Sequence, residues 1–332
     1  MKPAAVLAII VNYRTPELAV NAVAALAVEA RARGDTQVVL VDNGSGDGSA
    51  ERIADGIVAR GLSDICTLDA SPENKGFAAG NNRGLRTYRE ATGLGVPEFV
   101  WLLNPDTIPQ PGAIAGLVDF LRAHPDVGIA GGRCLWEEGG VRHSAFRFHS
   151  PRTELTAAIG FGPVTRLLGS RQVAVPIRDE PTRVDWVSGS SLMMRRAVME
   201  MLGPMDEGYF LYFEEADYCA RAAEAGFSCW YVPESRIVHI GGQATGVTGQ
   251  GRRINRRPRY WFFARARFFL HQYGAAKTHL ANLLWLIGYP IGGAIAALRG
   301  KRRGDPPRFW LDFLTHYYGP GGLMYRTRTV AA

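Results

Sequence analysis

Tyr209-Phe210-Leu211-Tyr212-Phe213 is an aromatic run that leads directly into Glu214-Glu215-Ala216-Asp217. Carboxylates set among aromatic rings are partly desolvated, which can give one of them a pKa suited to a general base. Acidic residues also suit the start of a helix through its macrodipole. Asp217 and Arg221 lie four apart, the spacing of a helix-surface ion pair. Glu215, with Glu214 beside it, is the candidate base. A second cluster is Asn104-Pro105-Asp106, which follows the apolar run Val100 to Leu103. An amide and a carboxylate two residues apart can aim oxygens at one hard cation, Mg²⁺ or Mn²⁺, although a plain turn has the same composition. His239, ahead of Ile240, Gly241 and Gly242, offers a nitrogen ligand at a strand end.

Two further segments suit a nucleotide. Asp42 ends the run Val38 to Val41 and precedes Asn43-Gly44-Ser45. A carboxylate at the C-terminal end of a buried strand can accept the imide N–H of uracil or thymine, or it can cap a turn. Asn74-Lys75-Gly76-Phe77-Ala78-Ala79-Gly80-Asn81-Asn82 sets small residues at a loop-to-helix junction, where a diphosphate can approach backbone N–H groups.

The elements that must position these residues alternate. Ala5–Val11, Val38–Val41, Ile65–Leu68, Glu98–Leu103 and Val127–Gly131 are continuous apolar runs, as expected of parallel strands covered on both faces. Between them lie helical patterns: one opens at Thr15 with Pro16 at its first position, and one runs from Ala113 to His124 before Pro125. Alternating strands and helices imply an α/β sheet with right-handed crossovers. Signals weaken from Gly140 to Arg183, with one helical stretch near Glu154 to Leu168. Helices are expected again at Arg195–Leu202 and Glu214–Ala225, and strands at Ser228–Val232 and Ser235–Ile240.

The net charge of +7 is unevenly spread. Ser235 to Gly304 holds 13 Lys and Arg and no Asp or Glu, whereas the residues before it are net acidic. A basic block of this kind suits an anionic surface, either nucleic acid or phospholipid. Leu280 to Leu298 carries no charge, contains Gly288, Pro290, Gly292 and Gly293, and is followed by Arg299, Lys301, Arg302 and Arg303. With Trp261, Phe262, Phe263, Phe268 and Phe269 ahead of it, this composition favours an interfacial membrane contact over a simple span. The 4 cysteines form no C-x-x-C pair and lie beside no histidine cluster, which argues against zinc and suits a reducing compartment. The beginning of the sequence lacks the pattern of a signal peptide. The expected location is cytoplasmic, peripheral or monotopic at the inner face of the cell membrane.

In this order, VNYRTPEL, VDNGSGDGS, NKGFAAGNNRGL, LLNPDT, VDWVSGSSLMMRR, FEEADYCARAAEAG and IVHIGG resemble glycosyltransferase family 2, in its rhamnosyltransferase-like branch. The resemblance implies an α/β GT-A fold, Rossmann-like, with a mostly parallel central sheet and helices on both faces, here followed by a helical membrane-associated segment. It implies a domain over 1–250, with a nucleotide-sugar half to about 130 and an acceptor half beyond, and a C-terminal segment over 251–332. It assigns Tyr13, Asp42, Asn74, Gly76, Asn82 and Asn104 to the nucleotide-sugar. Trp186, Gly189 and Asp217 go to the acceptor side, Glu215 to the base, and Asp106, His239 and Asn104 to a divalent cation. The implied reaction is inverting transfer from a nucleotide-sugar, in this branch dTDP-L-rhamnose, to a cell-envelope glycan or a polyprenyl-linked acceptor. Two positions depart from the family pattern. Asn-Pro-Asp lacks one anion of the D-x-D motif, and Glu215 stands where relatives often have Asp.

Two competing readings share parts of this pattern. A sugar-phosphate nucleotidyltransferase needs a basic, glycine-rich N-terminal loop, and Asn12-Tyr13-Arg14-Thr15 has no glycine. A nucleic-acid-binding protein would use the basic block, but the motif-bearing body is acidic, so no nucleic acid is expected; an oligomer is compatible with the sequence.

Overall fold

A computed structural model describes residues 3–169, 172–240 and 255–326. Its elements run β1 (Val6–Asn12), α1 (Pro16–Arg33), β2 (Thr36–Asn43), α2 (Ser49–Ala59), β3 (Cys66–Ser71), α3 (Phe77–Thr92), β4 (Phe99–Leu103), β5 (Thr107–Pro109), α4 (Ala113–Ala123) and β6 (Val127–Leu135). They continue through β7 (Val141–Arg142), β8 (Ala145–Phe146), α5 (Pro151–Ile159), α6 (Gly162–Leu167), β9 (Thr182–Val184), β10 (Trp186–Val187), β11 (Ser191–Arg195), α7 (Arg196–Leu202) and α8 (Glu214–Glu224). The last are β12 (Ser228–His239), α9 (Arg259–Leu298) and α10 (Phe309–Tyr318). Two units emerge. The first holds residues 1–146, 176–210 and 214–244, and the second holds 147–175, 211–213 and 245–332.

The main sheet of the first unit has the order β3-β2-β1-β4-β11-β6-β12-β5, with β7 on β6 and β9 on β12. β2 pairs parallel with β1 and β3, β1 with β4, and β6 with β12. The apolar runs of β1, β2 and β4 are buried along their whole length, as their continuity predicts. β11 enters antiparallel between β4 and β6, a strand inside a segment first read only as an acceptor-side motif. The two strands expected over Ser228–Ile240 are one, β12, with a register shift between Val232 and Arg236. Pro233 lies in that shift and cannot donate to the ladder. Thr15 precedes α1 without a side-chain cap. Asn12 Oδ1 instead accepts from Thr15 N and Oγ1 at 3.1 and 3.0 Å.

α3 lies close on β1 because its glycines permit it. A Cβ on Gly80 would sit 2.7 Å from Val11 Cγ1, and one on Gly84 2.6 Å from Ile9 Cγ2.

The second unit is helical. The stretch expected over Glu154–Leu168 is two helices, α5 and α6, separated by Gly160 in the left-handed region (φ 63°). α9 is broken at Gly274 (φ 69°, ψ 175°). A Cβ on Gly292 would run into the Ile159 carbonyl, and one on Gly288 would lie 3.1 Å from Ala158 Cβ. These glycines therefore form the notch in which α5 packs. Across that contact Arg265 Nη2 donates to Glu154 Oε2 at 2.6 Å, and Arg265 Nη1 donates to Asn282 Oδ1 at 2.7 Å. His149 Nδ1 lies 2.9 Å from Glu154 Oε1. Burial pushes the Glu154 carboxyl up, but Arg265 and His149 outweigh it and hold it at about 2, below its ordinary 4.5.

The folded-state pKa is depressed, so the stabilisation is present above about pH 4.5 and is lost as pH falls toward 2. Glu154→Gln strands the Arg265 charge and should cost about 3–5 kcal/mol at neutral pH. Thermal unfolding of the two proteins should show that difference shrinking below about pH 4.5. A pH-independent difference would show that the ion pair is not its source.

Candidate active site

Parallel pairing brings the C-terminal ends of β1, β2 and β4 to one rim of the sheet. Asn12 pairs with Asp42, and Ile10 pairs with Leu103. β11 starts at the same rim, Ser191 opposite Leu103, so the turn before it, Gly189-Ser190, lies there too. β12 leaves the sheet at this rim, with His239 paired to Thr107 of β5.

At the β2 end, Asp42 is 3% exposed. Its Oδ1 accepts from Asn12 Nδ2 at 2.8 Å and from Ser45 Oγ at 2.6 Å, and its Oδ2 accepts from Ser45 N at 3.3 Å. Ser45 in turn receives the backbone N–H of Arg14 at 2.9 Å on Oγ, and Arg14 Nε at 3.1 Å on its carbonyl. Arg14 holds a left-handed backbone (φ 59°), and its guanidinium lies 5.0 Å from the Tyr13 ring centroid. Tyr13 is half-buried. Arg14 was not singled out from the sequence, and its strained backbone is the structural sign of its place in the turn.

The loop before α3, expected on the donor side, closes on itself. Asn74 Oδ1 accepts from Asn43 Nδ2 at 3.0 Å and from Gly76 N at 2.9 Å. Gly76 (φ 92°) is required, because a Cβ there would run into the Phe210 carbonyl. Asn82, expected on the donor side, has its amide in contact with residues 205–207. Its Nδ2 donates to Met205 O at 2.9 Å and Glu207 Oε1 at 3.0 Å, and its Oδ1 accepts from Met205 N at 2.9 Å. These bonds tie α3 to residues 205–207.

Glu215 sits at the start of α8. Its Oε1 accepts from Gly189 N at 3.4 Å, and its Oε2 is shielded from solvent without a hydrogen-bond partner among the described residues. Burial pushes its pKa up, against its backbone hydrogen bonds. Glu214 beside it is buried. Asp217 does pair with Arg221, at 3.0 Å, but not on the helix surface. It is 1% exposed and also accepts from Tyr209 OH at 3.1 Å. Asp217 is thus held within the fold by Arg221 and Tyr209. Trp186 stacks on Phe146 with ring centroids 4.2 Å apart.

From Gly189 the contacts continue toward the Asn-Pro-Asp turn. Ser190 O accepts from Asn104 N at 3.4 Å. Two residues on, Asp106 Oδ1 lies 3.2 Å from His239 Nε2, both side chains being largely buried. Asp106 O accepts from Ile240 N at 3.0 Å. The structure thus links Glu215, Gly189, Asn104, Asp106 and His239 in one chain of contacts. Gly241 and Gly242 lie outside the described residues. Arg142, another residue not singled out from the sequence, places Nη1 3.2 Å from His239 Nδ1. Burial and Arg142 disfavour a protonated imidazole, whereas Asp106 and Cys134 favour it and carry the balance up to about 9.

Among the described residues no three His, Cys, Asp or Glu gather as a ready-made metal cage. The Asp106–His239 pair with Asn104 nearby nonetheless fits a hard cation of the kind that takes one or two protein ligands and completes its shell with substrate phosphates and water. A cation bound there would replace the proton on His239 Nε2.

Comparison with known proteins adds three findings. A family model described as glycosyltransferase like family 2 matches residues 3–274. The chain is similar to the N-acetylglucosaminyl-diphospho-decaprenol L-rhamnosyltransferase of Mycobacterium tuberculosis, 31% identical over 216 residues that cover 63% of this chain and 68% of that one. It is also similar to rhamnosyltransferase WbbL of Escherichia coli, 25% identical over 166 residues, 49% of this chain and 60% of that one. Among solved structures, the mannosyltransferase PcManGT of Pyrobaculum calidifontis in complex with GDP-Man and Mn²⁺ aligns over 100% of this chain and 84% of its own. The TM-score is 0.52 and the identity 18%, a likeness of fold, and that fold is the GT-A arrangement expected from the sequence.

Proposed function

We propose a donor, an acceptor and a catalytic base for this chain, which belongs to glycosyltransferase family 2 and is a hexosyltransferase. The donor is a nucleotide-sugar, with dTDP-L-rhamnose favoured by the two rhamnosyltransferase relatives. The acceptor is a cell-envelope glycan or a polyprenyl-linked sugar, a reading supported by the diphospho-decaprenol named for the mycobacterial relative. Glu215 is the base, and the observation that carries this is its link through Gly189 and Ser190 to the Asn104–Asp106 turn.

Tyr13 and Asp42 meet the base of the nucleotide, with Arg14 and Ser45 holding that turn. The loop at Asn74 and Gly76 receives the diphosphate side. A divalent cation held by Asp106 and His239, with Asn104 beside them, would neutralise charge on the departing nucleoside diphosphate. Trp186 and Gly189 border the acceptor. Glu215 takes the proton of an acceptor hydroxyl, and that oxygen bonds to the anomeric carbon from the face opposite the diphosphate. The bond from that carbon to the diphosphate oxygen breaks with its electron pair, so the configuration inverts. A carboxylate with a shielded, unpartnered Oε2 and a raised pKa is a stronger base than a solvated one.

A membrane surface completes the reading. Among the described residues one helix, α9, is long and apolar enough to cross a membrane, yet only 28% of its most apolar window is buried. Beyond Gly274 its exposed residues Leu280, Leu283, Ile287, Ile291 and Leu298 fall on one helical stripe. Ala281, Asn282, Trp285, Gly288 and Gly292 form the opposite, buried face. One-sided burial, with Arg299, Lys301 and Arg302 exposed just beyond, favours a helix lying in an anionic interface at the cytoplasmic side over one that spans it.

In a screen of nucleotide sugars, dTDP-L-rhamnose should give the fastest release of nucleoside diphosphate. Glu215→Gln should lower kcat about 10²–10⁴-fold with donor affinity intact. The wild-type acidic limb of the pH–rate profile should lie above the ordinary carboxylate value and disappear in the variant. Undiminished turnover in Glu215→Gln removes the base assignment. In flotation with anionic vesicles, the paired change Leu283→Glu and Ile287→Glu should release a folded protein from the lipid. Flotation equal to wild type would count against the in-plane helix.

A further inference from the structure

Arg257 lies in the second unit, just ahead of α9, and makes no ion pair among the described residues. Its Nε is shielded from solvent, and nothing among the described residues accepts a hydrogen bond from it. Its guanidinium lies 5.3 Å from the Trp261 ring centroid, and its electrostatic neighbours are the phenols of Tyr212 and Tyr260. The adjacent Arg256 is handled differently. Its Nε and Nη2 form a fork on the buried carboxylate of Asp312, at 2.6 and 2.5 Å. One arginine is thus paired with a carboxylate, and its neighbour is held against aromatic rings without an acceptor among the described residues. A shielded, unpartnered charged donor is costly and calls for a ligand.

The backbone beside it is also unusual. Tyr212 and Phe213, both bulky, hold consecutive left-handed conformations, φ 77° and 68°. Such strain persists only where the surroundings impose it, and it clusters at ligand sites. Tyr212 stacks with Tyr260, their centroids 6.2 Å apart and their planes 19° from parallel. Phe213 packs on Trp261 and Phe268. This three-residue segment, Leu211 to Phe213, leads straight into Glu214.

We infer that Arg257, flanked by Tyr212 and Tyr260, binds a phosphate-ester oxyanion. The guanidinium fork matches phosphate geometry, and the rings beside it keep water away from the pair. At a membrane surface this oxyanion has two sources: the diphosphate linker of a sugar acceptor, or a lipid headgroup. The polyprenyl-linked sugar already proposed as the acceptor favours its diphosphate linker as that source. This assignment names the acceptor class for the proposed glycosyl transfer and rests on that reading.

The test uses the full chain, with Arg257→Gln and Arg257→Lys. Two acceptors are compared, one sugar carried on an isoprenyl diphosphate and the same sugar on a neutral alkyl group. Arg257→Gln should raise KM for the diphosphate acceptor about tenfold or more, the effect of losing one charge-assisted pair, with a much smaller change on the neutral acceptor. Arg257→Lys should recover part of the loss. Geranyl diphosphate, a probe without a sugar, should compete with the acceptor in wild type and bind Arg257→Gln about tenfold more weakly. Unchanged acceptor KM with weakened flotation on anionic vesicles assigns the oxyanion to lipid headgroups. Equal losses on both acceptors, or no change in KM, probe binding and flotation, overturn the inference. If wild type transfers to neither acceptor, the glycosyl-transfer reading fails, while the geranyl diphosphate isotherms of wild type and Arg257→Lys still report on the anion site by itself.

Discussion

The arrangement depends on a close approach between one carboxylate and one backbone N–H. Glu215 reaches Gly189, and the turn that carries Gly189 hands its next carbonyl to Asn104. A Cβ at position 189 would crowd Phe77 at 3.2 Å and lie in contact with Glu215 Oε1 at 3.6 Å. The small residue therefore lets the start of α8, the donor-side loop and the β10–β11 turn share one space. Antiparallel insertion of β11 makes this possible, because a parallel strand there would carry its leading turn to the opposite rim. The Asp106–His239 pair sits on the same rim for a related reason: β12 runs parallel to β6 and ends where β5 begins.

The second unit is organised around a different constraint, a buried charge. Arg265 is held by Glu154, Asn282 and Tyr317, under the rings of Phe269 and Phe313. Burial works against its charge, and Glu154 outweighs that cost. The polar network and the glycine notch consume one face of α9, which leaves its other face apolar and exposed. The same helix thus looks like a membrane span by composition and like a surface element by packing.

Much of this was legible in the sequence, in proportion to how local each signal is. β1, β2 and β4 announce themselves because a strand buried on both faces must be apolar throughout. The Asn-Pro-Asp turn and the carboxylates of α8 were readable from residue type and neighbours. What was hidden depends on distant partners. The partners of Asn82 and Asp217, namely Met205, Glu207 and Tyr209, could not be read from residue type alone. Arg142 meets His239 across 97 positions, and Arg265 meets Glu154 across 111, separations that no spacing rule covers. Pro233 divided β12 into two apparent strands because a bulge tolerates what a regular ladder does not.

The central claim is that Glu215 and the Asp106–His239 pair face one bound nucleotide. Paramagnetic broadening by Mn²⁺ in the presence of a nucleoside diphosphate reads this directly. Amide signals of Asn104, Gly189, Ser190 and Glu215 should broaden together, while Gly34, which precedes β2 at the opposite rim, stays sharp. A sharp Glu215 signal beside a broadened Asn104 would contradict the account.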